Sequence, residues 1–184
     1  VYRGEIIAPD TSVVTVDVAR AGMVPSNVCF ERLTDLLEPK GVRQDHLFMS
    51  RQTDEQGNVT GAKLSGDKVG DSVDGRIVLF PDPMGATGCS LSQALDFYRQ
   101  KVDGRADKLV TMNAIVTPEF LRRITEDHPE VVCYALRLDR GMSPDEVKAL
   151  RPGQRWEEES GLNENDYIIP GGGGFGELMN NAWV

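Results

Sequence analysis

Asp82, Gly85, Thr87, Gly88 and Ser90 stand close together in Pro81-Asp82-Pro83-Met84-Gly85-Ala86-Thr87-Gly88-Cys89-Ser90, and together they could hold a phosphorylated sugar. Glycines let a backbone turn tightly and approach an anion closely. A helix beginning after them would offer unpaired N–H groups, and Thr87 and Ser90 would add hydroxyls. Asp82, an acid between two prolines, could hold a sugar hydroxyl or contribute to a Mg²⁺ site. An ordinary strand-to-helix turn, with Ser90 as the helix cap, accounts for the same residues. A second small loop, Arg20-Ala21-Gly22, sets a cation beside a glycine. A surface turn explains that arginine equally well.

The flanking segments decide where such loops would sit. Residues 76–80 form a short apolar run that suits a buried strand. From 90 to 100, Leu91, Leu95 and Tyr98 recur at helical spacing, with Ala94 and Phe97 widening the stripe. Residues 12–18 are strongly β-branched and predict a strand ending at the Arg20 loop. A helix is expected from Pro25 to about Leu37, with Val28, Cys29, Leu33, Leu36 and Leu37 on its apolar side. Both loops then fall at the carboxyl edge of a sheet, where open α/β folds bind ligands. Asp17 lies inside the first strand and is expected at an edge or functional position, because an unpaired buried acid is costly.

Residues 46–50 read as a short strand, and 51–72 as a polar, Gly-rich flexible arm or hairpin of lid-like length. A strand over 108–116, a helix over 118–126 and a strand over 131–136 follow. This alternation predicts an α/β fold with a mainly parallel sheet. Ser143-Pro144-Asp145-Glu146 carries a helix-start signature, and an acidic run, Glu157-Glu158-Glu159, comes after it. The tail sets Tyr167-Ile168-Ile169-Pro170 before four consecutive glycines.

Composition narrows the classes. The chain has 184 residues, 40% hydrophobic and 27% charged, enough for one well-filled domain. Its formal net charge of −9 argues against nucleic acid or an anionic membrane as partner. An RNA-binding regulator would need a basic face. Cys29, Cys89 and Cys133 are widely spaced and form neither a disulfide framework nor a zinc motif. His128, before Pro129, reads as a capping or surface residue, and His46 has no partner at ligand spacing, so histidine chemistry and a Ser-His-Asp triad are not expected. Without a signal peptide or transmembrane run, a cytoplasmic protein is expected. The chain opens on Val1, so the N-terminus is expected to be processed or the chain to be part of a longer protein.

The string from Pro81 to Ser90 resembles the phosphoribosyl-diphosphate (PRPP) motif of uracil phosphoribosyltransferases, DPM-x-ATGGS, with Cys89 at the usual second glycine. Leu162-Asn163-Glu164-Asn165-Asp166-Tyr167-Ile168-Ile169-Pro170-Gly171 is similar to their LNE-x-GYIVPG. The resemblance implies a three-layer α/β fold with a mainly parallel twisted sheet, the type I phosphoribosyltransferase core with a C-terminal hood. A single domain is expected: core 12–140 with the arm 51–72, an insertion at 141–160, and a base-binding hood at 161–184. The N-terminal segment that family members usually carry is expected to be absent.

The implied activity is transfer of the phosphoribosyl group from PRPP to uracil, giving UMP and pyrophosphate in pyrimidine salvage. Ala86, Thr87, Gly88, Cys89 and Ser90 would hold the 5′-phosphate, and Asp82 would face the ribose, with Met84 beside it. Arg20, Ala21 and Gly22 would form the pyrophosphate loop, with a cis peptide at Arg20–Ala21, and Arg51 would reach the pyrophosphate. Asp82, Arg20 and Arg51 are thus the implied catalytic set. Tyr167, Ile168, Gly173 and Phe175 would meet uracil. Mg²⁺ would be carried mainly by PRPP, near Asp82.

A homodimer or higher homo-oligomer is implied, with GTP as an allosteric effector in some members. One departure stands out: the family's GLGD-x-GD is Gly171-Gly172-Gly173-Gly174-Phe175-Gly176-Glu177 here. Three alternatives stay open: a phosphoribosyltransferase for another nucleobase, a degenerate nucleotide-binding regulatory homologue, and a structural or protein-interaction domain that binds neither substrate.

Overall fold

A computed structural model describes residues 7–53 and 59–181, apart from the side chains at 51–53, 59–60, 62 and 180. Its strands are β1 (Val13–Ala19), β2 (Val42–Thr53), β3 (Val59–Lys68), β4 (Ile77–Pro81), β5 (Met84–Gly85), β6 (Lys108–Val116) and β7 (Val132–Leu138). The helices are α1 (Met23–Leu36), α2 (Cys89–Gln100), α3 (Pro118–Asp127), α4 (Asp145–Lys148) and α5 (Phe175–Asn180). The sheet runs β3-β2-β1-β4-β6, and β7 pairs with the far edge of β6. β5 pairs with Ile115 and Val116, continuing the edge of β6 that β4 occupies lower down. Every pairing is parallel except β2 with β3.

β1 lies at the centre and is buried on both sides, which is why its sequence is almost continuously apolar. The chain leaves β1 toward β2 on one side and later returns to β4 on the other. The loops after β1 and β4 therefore diverge from neighbouring strands, the switch point where such sheets leave a crevice.

One core joins Val14, Val16, Val18, Val78 and Phe80 to Leu91, Ala94, Leu95, Phe120 and Ile124 of α2 and α3. A smaller cluster packs Phe30 and Leu33 of α1, with Leu37, on Val13 and Val42. The layers are helix, sheet and helix.

The apolar side of α1 differs from the expectation. Ser26, Phe30, Leu33 and Leu37 front the sheet, whereas Val28 is 48% exposed and Leu36 70%. Apolar residues stand on more than one side of this helix, and only the face that meets β1 and β2 is covered. Ser26 is buried there, and its hydroxyl is satisfied by Gln44 of β2, which donates to it at 3.1 Å.

Asp17 also departs from the expectation of an edge. It is buried in central β1, and parallel register sets it opposite His46, whose Nδ1 lies 2.9 Å from its carboxylate. That supplies the partner His46 lacks at local spacing. Burial raises the Asp17 pKa, and the hydrogen bond and charge of His46 pull the other way.

The stretch expected as an arm forms the outer part of the β2–β3 hairpin, with 54–58 outside the described residues. Asp45 fastens its base. It accepts from Arg43, from the Tyr98 hydroxyl at 2.8 Å and from the Gly70 amide at 3.0 Å.

The 141–160 segment holds α4 and a short 3₁₀ turn, and it is clasped to α3. Arg122 donates to the carbonyls of Trp156 and Glu159, both at 2.9 Å, and lies over the Trp156 ring. Arg140 pairs with buried Glu159 at 3.1 Å.

Candidate active site

The loop from Asp82 to Gly88 is held by its neighbours as well as by its own Met84-to-Asp82 bond. Asp82 donates its amide to the Met112 carbonyl, and its own carbonyl accepts from the Asn113 side chain at 2.7 Å. Thr117 joins the loop to α3: its hydroxyl donates to the Ala86 carbonyl at 2.6 Å and accepts the Phe120 amide at 3.0 Å. Gly85 lies flat on the Phe120 ring, where a Cβ would stand 2.7 Å from the ring edge. Gly88 has φ 77° and caps α2 without a side-chain bond, so the turn into the helix needs glycine. Ser90 is not the cap. Cys89 opens α2 in helical conformation, which is why a side chain is tolerated there.

Asp82 lines the cleft with its pKa pushed up to about 6 by desolvation, against the pull of the Met84 amide that it accepts at 3.2 Å.

The first loop carries a cis peptide at Ala19–Arg20, one bond before the expected Arg20–Ala21. Ala19 is the last residue of β1 paired with β2, so the chain reverses on its carboxyl side, and Gly22 closes the turn onto the Val18 carbonyl at 3.0 Å. A Cβ on Gly22 would meet the Val18 backbone N and O at 2.8 Å, so only glycine lets this loop lie against β1. A second cis bond precedes Pro170.

The tail is folded over these loops. Leu162 and Ile168 form an antiparallel bridge, and the Asn163 side chain accepts the amides of Asn165 and Tyr167 inside that turn. Two acids at the sheet edge anchor it. Glu119 accepts the Ser160 hydroxyl and the amides of Gly161 and Leu162, and Asp139 accepts the Gly171 amide at 2.8 Å. Burial pushes Glu119 up, but these donors outweigh it and its pKa lies below the ordinary glutamate value. A Cβ on Gly176 would lie in ordinary contact with Arg20 and Ala21, so α5 rests on the first loop.

The two loops and the tail enclose a cleft of ≈ 820 Å³. Of the expected residues, Arg20, Ala21, Asp82, Met84, Ala86, Thr87, Gly88, Cys89 and Ser90 line it, as do Tyr167, Ile168, Gly173 and Phe175. Gly22 does not; it is buried behind its loop. Arg51 lies on β2 opposite Ala62, and its side chain is outside the described residues. No described residue of 141–160 lines the cleft.

Phe120 and Arg123 also line it and carry no local motif, and Asp166 lines it from within the Leu162–Gly171 string without having been singled out. The one available signal for Arg123 was its position on α3, following Phe120 and preceding Ile124, both buried.

Two further groups test other chemistries. Among the described residues no three His, Cys, Asp or Glu side chains gather as a metal site; the cleft offers separate carboxylates, Asp82 and Glu177 among them. A divalent ion held on a diphosphate fits that arrangement, since hard oxygen donors and water complete its shell.

His128 caps α3 as expected but is buried, not at the surface. Its Nε2 lies 3.0 Å from the Ser92 hydroxyl, its Nδ1 faces Arg99, and Ser92 donates to Asp127. The acid holds the serine rather than the imidazole, and none of these groups lines the cleft, so they tie α2 to α3. No described helix is long and apolar enough to cross a membrane.

A family model described as uracil phosphoribosyltransferase matches residues 2–154. The uracil phosphoribosyltransferase of Caldanaerobacter subterraneus is 32% identical over 104 residues, 56% of this chain and 39% of the relative. That of Campylobacter fetus is 32% identical over 107 residues, 58% of this chain and 40% of the relative. The matches thus span about two fifths of the length of these curated relatives. A solved structure of an Aquifex aeolicus protein aligns with a TM-score of 0.67 and 26% identity, covering 94% of this chain and 66% of its own.

Proposed function

The chain belongs to the uracil phosphoribosyltransferase family and carries the type I phosphoribosyltransferase α/β core, and on that premise we propose that it converts uracil and PRPP to UMP and pyrophosphate. The observation that carries this reading is the meeting of the Arg20 loop, the Asp82–Ser90 loop and the folded tail around one cleft. Pyrimidine salvage is the role such a reaction would serve.

The chemistry follows from what each group offers. The N–H groups opening α2 and the hydroxyls of Thr87 and Ser90 hold the 5′-phosphate. Asp82 orients the ribose hydroxyls. Mg²⁺ carried on PRPP, with Asp82 and water as nearby oxygen donors, would supply screening of the diphosphate charge. Arg20 stabilises the negative charge that grows on the leaving pyrophosphate, joined by Arg51. Ile168, Gly173 and Phe175 fix the edge and face of the base, with Tyr167 beside them. The uracil nitrogen N1 forms a bond to the anomeric carbon as the bond to the pyrophosphate oxygen breaks, and the N1 proton is released to water or to the leaving pyrophosphate. No side chain in the cleft is needed as a strong base, so positioning and charge support supply the rate.

The departure at Gly174 and Glu177 favours a second reading, a phosphoribosyltransferase for another nucleobase, because the charge arrangement of the hood is rebuilt. A homo-oligomer, activation by GTP and a cytoplasmic location are proposed on family grounds alone.

The deciding experiment is a turnover assay with uracil, PRPP and Mg²⁺, following UMP and pyrophosphate together, with Asp82→Asn as control. Both products should form and fall sharply in the control. Absent turnover with uracil but present with another base would select the second reading. PRPP binding without turnover on any base would leave a regulatory homologue.

A further inference from the structure

Arg123 is the cleft residue that no motif explains. It lies on α3, exposed, and its Nε donates to the Thr87 carbonyl at 2.9 Å. Its Cδ and Cβ stand 3.2 and 3.4 Å from where a Cβ on Gly88 would be, so the side chain crosses the turn from which α2 begins. Among the described residues no carboxylate pairs with it, and its two Nη groups have no protein acceptor, although the chain as a whole carries −9. A guanidinium anchored through Nε keeps its two outer nitrogens as a planar fork, a geometry matched to two phosphate oxygens.

The cleft therefore has an arginine beside each of its two loops. Arg20 stands at the loop after β1 and is paired with Glu177, while Arg123 stands over the loop after β4.

We propose that Arg123 is a phosphate-binding residue of this site: its guanidinium contacts the sugar 5′-phosphate directly and adds a full charge to a cradle otherwise built from backbone N–H groups and hydroxyls. This rests on the phosphoribosyltransferase reading and deepens it. It makes the α3 side chain, rather than the loop alone, selective for a dianionic monoester at this end of the cleft.

The test uses the full chain and two probes, ribose 5-phosphate and Mg²⁺-pyrophosphate, titrated separately by calorimetry at two ionic strengths. In Arg123→Gln, ribose 5-phosphate affinity should fall about tenfold, the loss expected of one charged hydrogen-bonding partner. Pyrophosphate affinity should stay within about twofold, since that probe occupies the Arg20 end. The salt dependence of ribose 5-phosphate binding should weaken in Arg123→Gln, and Arg123→Lys should recover part of the affinity.

Unchanged ribose 5-phosphate affinity in Arg123→Gln would overturn the assignment. So would an equal loss for both probes, or a loss with unaltered salt dependence, because either would mean that Arg123 only braces the Thr87 turn. If the native chain binds neither probe, the phosphoribosyltransferase reading itself fails, and the assignment fails with it.

Discussion

Arg20 Nη2 lies 3.6 Å from Glu177 Oε1, joining the loop after β1 to the first turn of α5. Both side chains are partly exposed, and both line the cleft. On the proposed reading, in which Arg20 meets the diphosphate, this carboxylate would compete for the same guanidinium.

Glu177→Gln should therefore tighten binding of Mg²⁺-free pyrophosphate by roughly three- to tenfold, since a competing charge is removed. Stability should change by less than about 1 kcal/mol, because partly exposed ion pairs contribute little. Calorimetric titration and thermal unfolding of the same variant measure both. Weaker pyrophosphate binding would mean that Glu177 orients Arg20 rather than competing for it.

Gly174 is tied to the same carboxylate. A Cβ at this position would stand 2.7 Å from Glu177 Oε2, so Glu177 occupies the space a side chain at 174 would need. Gly174→Asp should lower turnover about tenfold by forcing two carboxylates together, and adding Glu177→Ala should restore much of the loss. A double-mutant cycle on kcat/KM reads the coupling, and simple additivity would dismiss the contact.

Asp82 titrates near 6, above its ordinary value, so it is ionised above that pH and neutral below it. The pH profile of kcat/KM should break near 6, with activity falling toward acid, and Asp82→Asn should remove the break. Linkage gives a second check. A carboxyl raised in the fold favours the folded state fully below the unfolded value of about 4, and that advantage is lost as pH rises through 6. Asp82→Asn should consequently raise Tm by several degrees at pH 7.5, corresponding to roughly 2 kcal/mol, and have little effect near pH 3.5.

The Asp17–His46 contact should matter for stability. His46→Ala leaves the buried carboxylate without its partner and should cost about 1–3 kcal/mol at pH 7 by denaturant unfolding. The raised Asp17 pKa sets the sign of the pH effect: protonation at acid pH removes the unpaired charge, so the penalty should shrink as pH falls. A penalty independent of pH would point to lost packing instead.

Gly22→Ala brings a methyl group against backbone atoms of Val18 at 2.8 Å and of Pro81 at 3.3 Å. Backbone in a central strand yields little, so a loss of roughly 1–3 kcal/mol is expected, together with weaker pyrophosphate binding. Full stability in this variant would show that the loop can move away from β1.

The sequence by itself determined the order of the main core strands and helices, the two loops that meet at the cleft and the turn-rich character of the tail, though not the short strand β5 or helix α5. Each of these is written in neighbouring residues: the β-branched run before Arg20, the helical spacing of Leu91, Leu95 and Tyr98, the glycines at 85 and 88. What depends on residues far apart in the chain was decided by the tertiary structure. Strand order and register put Asp17 opposite His46, which made a buried acid tolerable in the middle of the sheet. Which side of α1 was covered depended on where the sheet lay, so Val28 and Leu36 ended exposed despite their helical spacing. Packing of α3 beneath the loop brought Thr117 to Ala86 and Arg123 to Thr87, and folding of the tail carried Glu177 to Arg20. Periodicity and turn chemistry specify local conformation, whereas a contact between distant residues exists only once the layers have closed, and the charges of this cleft are arranged by such contacts.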